Sequence, residues 1–174
     1  MLVVNPRNGK WRVFVDGLHF ANGVQLHRDG QSVLVAETTR GRVVRIPLDG
    51  KTPSTVFADG LPGFPDNIRL SPRGGYWIPV NNVRNGSLFS WMMEFSPQWP
   101  IIRRIAHRIT SLVPWFEFEK SKTSMLLRVD EEGRTIEVWH DPKNRVSNVA
   151  EVCEADGHLY TGSYYLPYIG KAKI

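Results

Sequence analysis

Three residues in this sequence carry the oxygen donors that a hard cation takes: Asn22, Asp66 and Asn67. Asn22 sits in Phe20-Ala21-Asn22-Gly23-Val24, and the other two in Phe64-Pro65-Asp66-Asn67-Ile68. Amide oxygens beside a carboxylate are the donor set that Ca²⁺ prefers, and no Cys/His cluster suggests zinc. The competing reading is that Asn and Asp cap turns at strand starts, and spacing alone leaves both readings open. His19 lies three residues before Asn22 and could carry a proton at the same place, although a loop histidine is ordinarily solvated or capping. Glu37 closes the run Val33-Leu34-Val35-Ala36 and is expected as a solvated strand end. His27, His140 and His158 show no metal-ligand spacing.

The elements that would position these residues repeat. Asn22 to Leu26 leads through Asp29-Gly30 into the apolar run ending at Ala36; Asn67 to Leu70 leads through Gly74-Gly75 into Tyr76 to Val80. Both predict strand, tight turn, strand, with an amide at the entrance. Val149 to Gly162, turning at Asp156-Gly157, is a third such unit. Hairpins are expected at Val3 to Phe14, Val43 to Phe57 and Met125 to Trp139, turning at Gly9, Gly50 and Gly133. Asn22 and Asn67 lie 45 residues apart, a period that suggests propeller blades rather than a sandwich. The two amides are then equivalent positions of neighbouring blades, directed at one end of a common channel with Asp66 beside them.

The spacing breaks once. Gly9 and Gly50 are 41 residues apart, Gly50 and Gly133 are 83 apart, and the stretch 87–122 does not alternate. Ile102, Ile105, Ile109 and Leu112 recur at helical spacing among Arg103, Arg104, His107 and Arg108, between Pro100 and Pro114. A basic amphipathic helical insertion is expected there. Trp91, Trp99 and Trp115 flank it, which suits a membrane interface or a lid; the plainer reading is a helix packed across one face. Some three blades do not close a propeller, so the chain reads as the C-terminal part of a single longer propeller domain spanning residues 1–174.

Composition sets outer bounds. The chain has 174 residues, 41% hydrophobic and 22% charged, an ordinary globular balance for one domain. A net charge of +5 permits an anionic partner, but the basic residues are dispersed and no nucleic-acid motif is present. The lone Cys153 is expected as a buried thiol. No signal peptide or apolar run of about 18 residues is visible. Asn85-Gly86-Ser87 is a glycosylation acceptor sequence, usable only on the secretory route.

Several motifs in order carry a family resemblance. The stretch Asp59 to Arg69 with Gly74-Gly75-Tyr76-Trp77 resembles the strictosidine synthase-like family, especially its adipocyte plasma membrane-associated protein branch. Phe20 to Val24, Leu34 to Arg40 and Asp156 to Ser163 match the same family. That family is similar to the paraoxonases and the gluconolactonase/senescence-marker group, six-bladed propellers with a calcium ion in the channel. The resemblance implies a partial six-bladed β-propeller, an endomembrane or membrane-associated location, and Asn22, Asp66 and Asn67 as calcium ligands.

Calcium there would polarise an ester or lactone carbonyl, and Asp66 could act as general base on water. The family's further ligands, a Glu and an Asn from earlier blades, have no counterpart here, so weak calcium affinity is expected of this chain alone. True strictosidine synthases carry a catalytic glutamate where Ala150 stands, with Glu151 one position off and so on the other face of a regular strand. Hydrolysis of the arylesterase kind is therefore expected rather than condensation. The alternative is a non-catalytic, membrane-associated interaction module.

Overall fold

A computed structural model describes residues 1–84 and 123–174, with residues 99, 101, 104, 105 and 108 between them. The expected insertion at 87–122 and the Asn85 acceptor lie largely outside these residues. Of that stretch, Ile101, Arg104, Ile105 and Arg108 are helical and exposed.

The described residues are almost entirely strands, arranged as antiparallel sheets. The hairpin of β1 (Leu2–Val4) and β2 (Trp11–Val13) comes first. β3 (Ala21–Leu26), β4 (Ser32–Glu37), β5 (Arg42–Pro47) and β6 (Thr55–Ala58) then pair in chain order as a four-stranded sheet. Each expected strand–turn–strand unit thus merges with the hairpin that follows it. The second sheet begins with β7 (Gly63–Pro65) and β8 (Arg69–Leu70), which both pair with β9 (Tyr76–Val83), and continues through β10 (Met125–Val129) to β11 (Thr135–His140). The third contains β12 (Val149–Ala155), β13 (His158–Ser163) and β14 (Gly170–Lys173).

Period-two alternation explains how these sheets stack. Along β9, Tyr76, Ile78 and Val80 face the first sheet, where they meet Leu34, Val43 and Phe57. Trp77, one residue out of phase, joins Leu126, Val149, Val152 and Leu159 against the third sheet. β4 divides in the same way: Leu34 turns to the second sheet, and Val35 to Phe14 and Val15 beyond the first hairpin. Strands covered on both faces read as continuous apolar runs, which is why β4 and β9 stood out in the sequence. Sheets packed face to face in series are the architecture of a β-propeller.

Close backbone approach fixes the seams. At Gly133, where φ is +85°, an added Cβ would lie 1.8 Å from the carbonyl oxygen of Phe57 in the first sheet. Cys153 corrects the sequence reading: it is exposed, because Val152 takes the core face and alternation turns its neighbour outward.

One buried carboxylate ties the second and third sheets. Glu154 accepts from Trp77 Nε1 at 2.6 Å, Ser71 Oγ at 2.7 Å and Arg73 Nε at 2.7 Å. Burial pushes its carboxyl up, but these donors together outweigh burial and hold it below the ordinary glutamate range. A group depressed on folding stabilises at neutral pH and loses that contribution as pH falls through its folded pKa. The urea midpoint is therefore expected to drop between neutral pH and the acid side of the glutamate range. Glu154→Gln should cost about 2 kcal/mol at pH 7 and flatten that dependence. An unchanged pH profile in the variant would show that another group sets it.

Candidate functional site

The expected amide-bearing strand entrances are β-bulges. Ala21 pairs with Glu37 and Val24 with Val35, so Asn22 and Gly23 together face one residue of β4. Pro65 pairs with Val80 and Arg69 with Trp77, which leaves residues 66–68 arched between β7 and β8. Val149 pairs with Ser163 and Glu151 with Gly162, so Ala150 is the extra residue of the third sheet. Asn67 was expected at the entrance of its strand and instead lies in this break, two residues before β8. A bulge withdraws backbone groups from the ladder and frees them for other partners.

Here the partners are other bulges. The Gly23 N–H donates to the Asp66 carbonyl at 3.0 Å, and the Asn67 N–H to the Ala150 carbonyl at 3.3 Å. Three consecutive sheets are thus joined through backbone atoms at one place. Gly23 is required there, because an added Cβ would lie 2.6 Å from Asn67 Cα and 2.7 Å from the Asp66 oxygen.

Asp66 occupies the centre of this junction. Asn22 Nδ2 donates to one carboxylate oxygen at 2.6 Å, and Asn81 Nδ2 to the other at 2.9 Å. The residue is buried, and burial pushes its carboxyl above the ordinary aspartate range. The two amide donors oppose that rise, and the charge of Glu151 adds to it. Asp66 has no ion pair among the described residues. Thr38 Oγ1 fixes the approach by donating to the Pro65 carbonyl at 2.8 Å.

The structure therefore brings Asn22, Asp66 and the backbone of Asn67 together, as the sequence implied. His19 stands apart. Its Nε2 lies 3.0 Å from the Arg40 guanidinium, which can only donate, so the ring nitrogen accepts. Among the described residues none of its bonds reaches Asp66. Glu37 corrects its expected exposure: it is buried, ion-paired with Arg42 at 2.5 Å, and accepts the His19 N–H at 2.7 Å. It anchors the loop that carries His19.

Three residues were missed or misjudged. Asn81 ends an apolar strand with an amide, and that abrupt change after Val80 was the available signal. Glu151 was set aside on strict alternation, which the Ala150 bulge breaks. It pairs with Arg69, and its charge is felt by Asp66. Tyr164 follows β13 at the same end; its hydroxyl is raised by partial desolvation, then by Tyr165 and Asp66, although the residue is 66% exposed.

The donors fit calcium in chemical type. The cluster holds one buried carboxylate with no cation beside it among the described residues, and flanking amides whose oxygens are exchanged for nitrogens by a half-turn. Among the described residues no group of three or more His, Cys, Asp or Glu gathers.

Comparison with known proteins identifies the family. Residues 1–105 match the family described as SMP-30/Gluconolactonase/LRE-like region. The adipocyte plasma membrane-associated protein of Salmo salar is 42% identical over 165 residues, covering 93% of this chain and 39% of its own length. The Homo sapiens protein of that name is 38% identical, covering 94% and 39%. Protein STRICTOSIDINE SYNTHASE-LIKE 10 of Arabidopsis thaliana is 34% identical, covering 92% and 43%. The chain thus spans about two fifths of the length of the curated relatives it matches. Among solved structures a luciferin-regenerating enzyme superposes with a TM-score of 0.57 at 12% identity, over 90% of this chain and 41% of that one.

Proposed function

Because the chain belongs to the SMP-30/gluconolactonase/LRE-like family of β-propellers, we propose that its bulge junction is part of a calcium-assisted site for hydrolysing esters or lactones, arylesterase-like in kind. The observation that carries this reading is the buried Asp66 carboxylate, held between two neutral amides and lacking a cation among the described residues. Asn22, Asp66 and Asn67 would hold the ion, with Asn81 orienting the carboxylate. Calcium bound there supplies a Lewis acid for the substrate carbonyl. The chain's own part is to keep Asp66 oriented and water-poor, with its carboxyl raised toward the range where it can accept a proton from water. His19, bound to Arg40, would relay a proton only after leaving that partner.

A second reading draws on the relatives, which are named plasma membrane-associated proteins: a propeller that serves as an interaction module at a membrane. No helix among the described residues is long and apolar enough to cross one. Calcium titration separates the two readings. Thermal unfolding and phenyl acetate hydrolysis would be followed together, in this chain and in a form extended to its relatives' length. The hydrolase reading expects calcium at 100 times its dissociation constant to stabilise by about 2.7 kcal/mol, with turnover in the extended form. Stabilisation without turnover would support the module, and no response at all would remove the metal.

A further inference from the structure

The loop that leaves the third sheet beside the bulge junction concentrates exposed aromatic surface. β12 begins at Val149, next to the Ala150 bulge, and runs to the turn at Asp156-Gly157; β13 returns until Ser163 lies opposite Val149. Residues 164–169, which lead on to β14, therefore sit at the end where the Ala150 carbonyl accepts the Asn67 N–H. Tyr164, Tyr165, Tyr168 and Ile169 are each at least half exposed there. Large apolar side chains gathered in one place mark a binding surface, whereas singly scattered ones do not.

The loop is held in shape at both ends. Ser163 Oγ accepts the Tyr165 N–H at 3.1 Å and the Leu166 N–H at 3.4 Å, a turn closed by its own hydroxyl. Farther along, the Tyr168 hydroxyl donates to the Arg145 carbonyl at 2.6 Å. Between these ties the ring centroids of Tyr164 and Tyr165 stand 4.3 Å apart, with the rings tilted by 39°. Rings already packed on each other give up little further freedom when a ligand meets them.

Two features say what this surface takes. Residues 164–169 read Tyr-Tyr-Leu-Pro-Tyr-Ile, without a charged side chain, so the loop offers an anion no countercharge of its own. What it offers is ring surface beside a buried carboxylate. Tyr164 lies within reach of the Asp66 charge, which adds to the effects of partial desolvation and Tyr165 on its hydroxyl. A further aromatic ring packed against such a pair gains stability beyond the area it buries, through offset or edge-on contact.

We propose that the Tyr164–Tyr165 pair is the specificity determinant of the bulge-junction site, packing against an aromatic ring of the substrate whose ester or lactone group lies at Asp66. The assignment rests on the hydrolase reading above and names the residues of this chain that recognise the substrate's body. Its distinguishing property is a preference for a ring over a saturated group of the same size.

The test measures binding apart from turnover. N-benzylacetamide and N-(cyclohexylmethyl)acetamide are amide counterparts of the benzyl and cyclohexylmethyl acetates that resist hydrolysis. Each would be titrated into the purified chain with calcium present and followed by NMR. The benzyl-to-cyclohexylmethyl affinity ratio should fall about fivefold from the parent to Tyr164→Leu, the worth of one ring–ring contact. Tyr164→Phe keeps the ring and should keep the ratio. An equal ratio in the parent and Tyr164→Leu, an equal fall in Tyr164→Phe, or no binding by either amide overturns the proposal. Should Tyr164→Leu fail to fold, Tyr165→Leu gives the same comparison, and an unchanged ratio there overturns the proposal equally. The hydrolase reading fails separately: an extended form without ester turnover, whose ring preference is lost in Tyr164→Leu, removes catalysis and leaves the ring-binding pair standing.

Discussion

Asp66→Asn is expected to erase calcium-dependent stabilisation while leaving the metal-free chain at least as stable as its parent. The two halves have one cause. The Asp66 carboxylate is buried between amides, and burial holds its carboxyl above the usual range. A carboxyl raised on folding favours the protonated form, so its contribution is intact below the unfolded pKa and falls as pH rises through the folded one. At neutral pH the charge is therefore a burden that asparagine relieves. With calcium the same charge would become the principal attraction, and its loss should remove all of the gain of about 2.7 kcal/mol expected at 100 times the dissociation constant. In an active extended form, phenyl acetate turnover should fall at least about a hundredfold, the lower range for loss of a general base. Paired melts with calcium and with chelator decide the matter: a variant that still gains stability from calcium places the ion elsewhere.

Gly23→Ala should be a strongly damaging single-methyl change at the junction itself. The new Cβ would lie 2.6 Å from Asn67 Cα and 2.7 Å from the Asp66 carbonyl oxygen, all backbone atoms with no rotamer to move into. Either β3 retreats or the arch at 66–68 is pushed out. Both movements break the Gly23 N–H bond to Asp66 and carry Asn22 away from the carboxylate. Overpacking of this kind costs about 3 kcal/mol. Gly30→Ala is the control: its φ is +67° with open space around it, so only backbone strain of about 1 kcal/mol applies. Urea denaturation of the two variants gives the comparison. Equal losses would mean that the seam yields easily and does not set the site's geometry.

Much of this fold could be read from the chain. The turns at Gly9, Gly50, Gly133 and Asp156-Gly157 separate strands as their neighbours imply, and Asn22 does meet Asp66 across a 44-residue interval. Register could not be read. A bulge is a property of a pair of strands, so Asn22-Gly23, the arch at 66–68 and Ala150 carry no local sign that each skips a place in its ladder. Two readings failed for that reason: Asn67 at a strand entrance, and Glu151 turned to the opposite face. Glu37 failed differently. A charged strand end is normally wet, and burial followed from Arg42 lying opposite it across the ladder. Whether the helical periodicity at 87–122 forms one packed helix falls outside the described residues.

Beside its side-chain bonds, the bulge junction has a seam made of peptide groups, and this separates support from chemistry. At positions 22, 67 and 150 the side chains are asparagine, asparagine and alanine, yet the seam between sheets is made by the N–H and carbonyl groups of Gly23, Asp66, Asn67 and Ala150. The side chains at those three positions can vary while these backbone bonds between sheets persist. Such a scaffold is evolvable: it can gain or lose a ligand, an acid or a base at its centre without first surrendering the framework that presents them.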